Sequence, residues 1–223
     1  MNRDPSRQAS GLFWFGLAGL AGALLTGLGE GLLQLVPNGD FADPTYGYFR
    51  DISPPRLALG HWIAVIAAPL YLPGYWHLTG RLLPHHPKAR FIVFALMTWA
   101  LILAFIWIGQ RAILAHTVHA IAEGDSAASL LEAQTSLHEP LVNALRLAIL
   151  GFSLLWIGLI ATGRSTYPRW MALFSPGLML GLIFLTWLAA TGIGWLVLPT
   201  AMNTAHAVVF ALSLTASHKG PKP

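Results

Sequence analysis

Several long apolar stretches of this chain carry isolated charged or strongly polar side chains, and those residues define the chemistry available. Glu30, with Gln34 one turn later, follows a run rich in leucine and glycine. His61 stands after Gly60. Gln110 and Arg111 are followed by His116 and His119, Asn143 precedes Arg146, and Asn203 precedes His206. A charge at the depth of a lipid bilayer costs at least about 2.5 kcal/mol on insertion scales, so each needs a partner or a use. Asn143 and Arg146, and likewise Asn203 and His206, are three apart and share a helix face.

Three chemistries fit these residue types. Glu30, His61 and His206, with His116 in reserve, could supply three metal ligands and leave a water position open, as a membrane-embedded metal-assisted hydrolase would need. Two histidines at one depth, with arginine for the propionates, could hold a b-type haem. Neither is favoured: the ligands are scattered singly, and His116-Thr117-Val118-His119 has no metalloprotease spacing. The favoured reading is a polar pocket facing outward in the outer leaflet. Glu30, His61, Gln110, Arg111, Asn143, Arg146, Asn203 and His206 would line it, and a small anionic or amphiphilic ligand would bind there. Arginine stays protonated when buried. Two arginines against one glutamate therefore require access to water or another anion. Such an anion could come from Asp40 or Asp43 of the following loop, or from a ligand carboxylate or phosphate.

These residues must be positioned by membrane helices. Of 223 residues, 55% are hydrophobic and 10% charged, against about 25% charged in a soluble domain. The formal charge of +4 does not point to nucleic acid, because the basic residues sit at helix ends and form no stripe. Without cysteine there is no disulfide, thiolate metal site or cysteine nucleophile. A crossing needs about 20 apolar residues. Six segments qualify, at about 11–36, 57–79, 91–116, 140–162, 171–197 and 199–217, the last being the shortest. The sequence thus predicts an all-α, polytopic six-helix bundle, one domain over 1–223. The first span has Arg3 and Arg7 before it like a signal peptide, but its apolar run is too long and it reads as a retained helix.

Alternating the loops puts Arg3, Arg7, Arg81, Lys88, Arg90, Arg164, Arg169, Lys219 and Lys222 on one side and only Arg50 and Arg56 on the other. By the positive-inside rule both termini are cytoplasmic and the membrane is the inner one. Asp40, Asp43, Asp51, Glu123, Asp125, Glu132 and Glu139 then fall outside. In this topology Glu30, Arg111, Arg146 and His206 lie at one depth, roughly 9–12 Å below the outer surface. The inner half holds little besides His77. That bareness argues against a transporter-like subunit.

Gly16, Gly19, Ala23, Gly27 and Glu30 form a small-residue stripe that permits close helix packing and turns Glu30 into the bundle. Pro69 and Pro73 are expected to kink the second span. Residues 37–56 and 117–139 read as outer loops, the latter with a short amphipathic helix. The tryptophans read as interface belts, with Trp107, Trp187 and Trp195 near the polar layer. His85, His86, His116, His119, His138 and His218 read as solvated or interfacial.

Gly151-Phe152-Ser153 with His206 is similar to the serine and histidine of rhomboid intramembrane proteases. Leu154 stands where that family has glycine, however, and Ser153 lies well inward of His206, so serine catalysis is set aside. Gly29-Glu30, Gly60-His61, Gly74-Tyr75-Trp76-His77 and Gly109-Gln110-Arg111 together resemble a family of small bacterial integral membrane proteins of unknown function. The resemblance covers most of the first four helices. It implies a membrane helix bundle and carries no activity.

Overall fold

The computed structural model describes residues 5–218, without the side chains of 5–10, 191–193 and 217–218. Arg3, Lys219 and Lys222, and the side chains of Arg7 and His218, lie outside the described residues. All regular structure among the described residues is helical: α1 Pro5–Gln34, α2 Pro54–Ala67, α3 Tyr71–Leu82, α4 Pro87–Ala122, α5 Ala128–Ala161, α6 Pro176–Ala189, α7 Thr191–Val197 and α8 Ala201–His218, with short 3-10 turns between some of them. Five stretches are long and apolar enough to cross a membrane: Gly11–Gln34, Pro54–Leu82, Pro87–Ala122, Ala128–Ala161 and Gly194–Ala216.

Helix ends follow local chemistry. Proline opens α2, α4 and α6, where its missing N–H removes no ladder bond. Ser175 also caps α6, its side chain accepting from Leu178 N–H. At the ends of α4 and α5, Gly124 (φ 101°) and Gly163 (φ 73°) take the left-handed conformation. Gly124 N–H bonds to Ile121 and Asp125 N–H to Ala120; Gly163 N–H bonds to Ile160 and Arg164 N–H to Leu159. Both are the paired closure that satisfies the last helical carbonyls.

The predicted outer loop 117–139 is a helical hairpin. α4 continues to Ala122, and α5 starts at Ala128 and runs through Pro140. Thirty-six residues of α4 rise roughly 54 Å, longer than a hydrocarbon core of roughly 30 Å. The predicted helix 171–197 is divided. A 3-10 turn Arg169–Phe174 precedes α6, and the chain breaks at Ala190 (φ −133°, ψ 69°). Gly194 lies against Trp187 across that break, leaving no room for a side chain.

α1 is the hub. Its glycine face meets the α2–α3 pair: a Cβ on Gly19 would lie 2.6 Å from Gly74 Cα, and one on Gly29 would lie 2.6 Å from the Ala64 nitrogen and 2.7 Å from the Gly60 oxygen. Glu30 meets Asn203 at one end of α8, and Gly16 meets Leu214 near the other. α8 therefore runs antiparallel to α1, as α2–α3 does. Two helices beside α1 each tighten into a 3-10 turn at a proline, Ala68–Leu70 and Leu198–Thr200, just before a residue that faces Glu30's network.

A second polar set lies near the opposite end. His77 bonds through Nδ1 to the Leu12 carbonyl (2.6 Å) and through Nε2 to the Ser213 hydroxyl (2.7 Å); the Tyr167 hydroxyl is 2.6 Å from that same serine. That end of the bundle is thus less bare than the sequence suggests. Tyr167 and Ser213 carry no charge and gave no sign of it in the sequence. Ser153, the serine of the rhomboid comparison, bonds Ile149 O and accepts from Gly177 N–H, fastening α5 to α6.

Candidate functional site

Glu30 is 2% exposed. Its Oε2 accepts from the Asn203 amide at 2.6 Å and its Oε1 from Gln34 at 3.3 Å. Asn203 Oδ1 in turn accepts from the Tyr71 hydroxyl at 2.5 Å. One helical turn along α8, His206 donates from Nδ1 to the Met202 carbonyl (2.8 Å), so its Nε2 accepts from the Tyr75 hydroxyl (3.1 Å). Tyr71 and Tyr75 are one turn apart on α3, as Asn203 and His206 are on α8, and both phenols bond across to α8. A buried carboxylate is held here by amide donors and not by an arginine.

Arg111 does not pair with Glu30. Its Nη1 donates to the Tyr48 hydroxyl at 3.0 Å. Its guanidinium carbon lies 5.1 Å from the Trp107 ring centre, 5.3 Å from Tyr46 and 6.0 Å from Phe49. Such contacts are worth about 0.5–1 kcal/mol each at exposed sites and more when desolvated. Arg111 Nε is buried without a hydrogen-bond partner. The outer loop therefore answers Arg111 with phenols and aromatic faces. The aspartates expected in that role do other work. Asp43 accepts from Thr45 and Gly47 N–H and from the Thr45 hydroxyl, and Asp40 accepts from Ala42 N–H; both hold turns. The Thr45 and Gly47 bonds hold the Asp43 carboxyl below its ordinary range. Burial raises the Tyr46 and Tyr48 phenols, with Arg111 pulling the other way. Tyr46 takes the left-handed conformation (φ 54°) that brings this loop in.

A cavity of about 590 Å³ joins these groups. Glu30, Gln34, Tyr71, Tyr75, Arg111, His138, Glu139, Arg146, Asn203 and His206 form its polar part, and Phe41 and Tyr46 lie at its outer end. Its long wall is apolar, from Leu101 and Phe105 of α4 through Phe152 and Leu155 of α5 to Leu180 and Phe184 of α6. Leu96, Trp99, Leu155 and Phe184 of this lining are exposed on helix sides, so the cavity opens sideways between the helices.

Of the eight predicted lining residues, Glu30, Arg111, Arg146, Asn203 and His206 line the cavity and three do not. His61 lies edge-on to Trp62, with its Nδ1 unpartnered. Gln110 bonds His138 at 3.2 Å. Asn143 is exposed and accepts from Arg146 at 3.1 Å. His116 is exposed, and no group of three His, Asp or Glu suited to a metal ion occurs among the described residues. His61 and His206 do not share the cavity, so the bis-histidine haem arrangement is not assembled either. His138, expected at the surface, is 2% exposed and stacks on Trp107 (6.3 Å, 25°). Sequence reasoning missed it because helix α5 begins at Ala128, well before Pro140. It missed Tyr71 and Tyr75 because a tyrosine in an apolar span reads as packing. Trp107 lines the cavity; Trp187 and Trp195 do not.

No curated protein and no solved structure matches the chain. A family model matches residues 13–219, and the chain belongs to that family, a family of unknown function (DUF6796).

Proposed function

We propose that this multi-pass protein takes up an amphiphilic molecule bearing an anionic group from the outer leaflet of the inner membrane. The observation that carries the reading is one cavity with two arginines at its polar end and a long apolar wall behind them. Arg111 bonds a phenol and Arg146 an amide, and neither has a carboxylate as its hydrogen-bond partner. An anion held by a guanidinium fork would supply the missing partner, and an alkyl chain would cover the wall. Lateral exposure of Trp99, Leu155 and Phe184 favours entry from lipid over entry from water.

The accompanying topology is six crossings with both termini cytoplasmic. The antiparallel run of α8 against α1 supports an even number. α6, at 14 residues, rises roughly 21 Å. It would make the sixth crossing as a short helix completed by the bend at Ala190. The test is purification in mild detergent followed by lipid mass spectrometry and an absorption spectrum on the same sample. A co-purifying anionic or zwitterionic amphiphile is expected, and Arg111→Gln should lower its retention about tenfold or more, since a hydrogen bond to a charged group is worth about 1.5–3 kcal/mol. Wild-type protein free of any amphiphile would refute the reading.

A further inference from the structure

The ionisable side chains on the cavity wall include Glu30, Glu139, Arg111 and Arg146, two acidic and two basic. A head group with only negative charge would satisfy the arginines and face two carboxylates. A head group carrying both signs complements all four. On this basis, and resting on the amphiphile reading above, we infer that the ligand's head group is a zwitterion: a phosphate joined to a primary ammonium. The phosphate sits at Arg111 and Arg146, and the ammonium at Glu30.

Each half of the zwitterion answers an open hydrogen-bonding position. Arg111 Nε is buried and has no partner, although its neighbour Nη1 is bonded to Tyr48. A phosphate oxygen accepts from such a fork through two parallel N–H groups. Glu30 accepts one hydrogen bond at each oxygen, and that at Oε1 is long, 3.3 Å from Gln34. An ionised carboxylate has about four lone-pair sites and donates nothing, so the group that completes it must bring N–H or O–H. An ammonium does so with charge assistance. A quaternary ammonium has no hydrogen to give, and the aromatic faces that would hold one, Tyr46, Phe49 and Trp107, already hold Arg111. Thr26, 2% exposed and one turn inward of Glu30 on α1, also lines the cavity with its hydroxyl unpartnered. It meets the polar linkage between head and chain.

The test reconstitutes the full chain in nanodiscs holding equal parts phosphatidylethanolamine, phosphatidylglycerol and phosphatidylcholine, and counts the lipids that survive native mass spectrometry. Phosphatidylethanolamine should exceed each of the others roughly tenfold, the equivalent of about 1.4 kcal/mol. Glu30→Gln should erase its advantage over phosphatidylglycerol while phospholipid is still retained. Glu139→Gln, at an exposed position that removes the other carboxylate of the cavity wall, should reduce that advantage and decides the matter if Glu30→Gln fails to fold. Equal or greater retention of phosphatidylglycerol by the wild type overturns the zwitterion inference and leaves amphiphile binding standing, as does an advantage that survives whichever of the two carboxylate substitutions folds. Retention of none of the three removes the underlying reading instead.

Discussion

At the residue scale the informative feature is how a buried carboxylate is kept. Glu30 has an arginine in the same cavity and yet is bonded by amides, while the arginine is held by a phenol and three aromatic rings. The Asn203 amide is engaged at both its nitrogen and its oxygen, giving to Glu30 and accepting from Tyr71. Asn203→Leu should therefore strand two buried groups at once. A buried polar group that loses its partner costs about 1–3 kcal/mol, so the variant should melt clearly below wild type in detergent. Tyr71→Phe, which leaves the Glu30 bond intact, should cost less. Equal melting of the two variants would show that the Glu30–Asn203 bond contributes little. Tyr48→Phe removes the one side-chain acceptor bonded to Arg111. It should weaken lipid retention far less than Arg111→Gln if the ligand is the arginine's main partner.

At the element scale, close approach at glycine sets which helices are neighbours. The predicted stripe on α1 is used at Gly16, against Leu214 and His77, and at Gly19, against Gly74 of α3; Gly29, outside the stripe, meets Gly60 of α2. A side chain on Gly74 would lie 2.5 Å from Gly19 Cα, a backbone atom that cannot swing away. Gly74→Val should therefore overpack the contact by about 1–3 kcal/mol or separate α1 from α3. Gly109 and Gly151 have nothing within 4 Å of the same position, so Gly109→Ala should be silent or slightly stabilising in the same thermal melt. The two hairpin closures make a different prediction. Gly124→Ala and Gly163→Ala force a Cβ into left-handed backbone at a cost of about 1–2 kcal/mol, though space is free around both. A silent Gly163→Ala would mean that the end of α5 adapts without the paired closure.

At the scale of the whole molecule, the arrangement is a hub of α1 with α2–α3 and α8 around it, and a long α4–α5 hairpin closing the cavity from the other side. The polar layer arises because antiparallel helices put the late residues of α1 and α4 beside the early residues of α5 and α8. The biased placement of lysine and arginine predicts the orientation. A reporter fused after Lys219 should read as cytoplasmic, and one inserted near Ser126, at the hairpin tip, should read as external. A C-terminal reporter on the outer side would break both the six-crossing topology and the outer-leaflet placement of the cavity.

Membrane character, helical class, the gathering of Glu30, Arg111, Arg146 and His206 around one cavity, and the glycine face of α1 were all legible in the sequence alone. Each is a sum over local composition or a count along one helix, and needs no knowledge of the neighbour. The partners were not legible. That Glu30 takes Asn203, that Arg111 takes Tyr48 in place of Asp40 or Asp43, and that Tyr75 meets His206 depend on the angle each helix presents and on how near glycine lets it come. Hydropathy is blind to both. The break at Ala190 and the passage of α5 through Pro140 were likewise decided by packing across elements. Gly194 folds back on Trp187 in the first case. In the second, His138 is buried against Trp107 and Gln110 of α4, which holds the outer part of α5 helical on both sides of a proline.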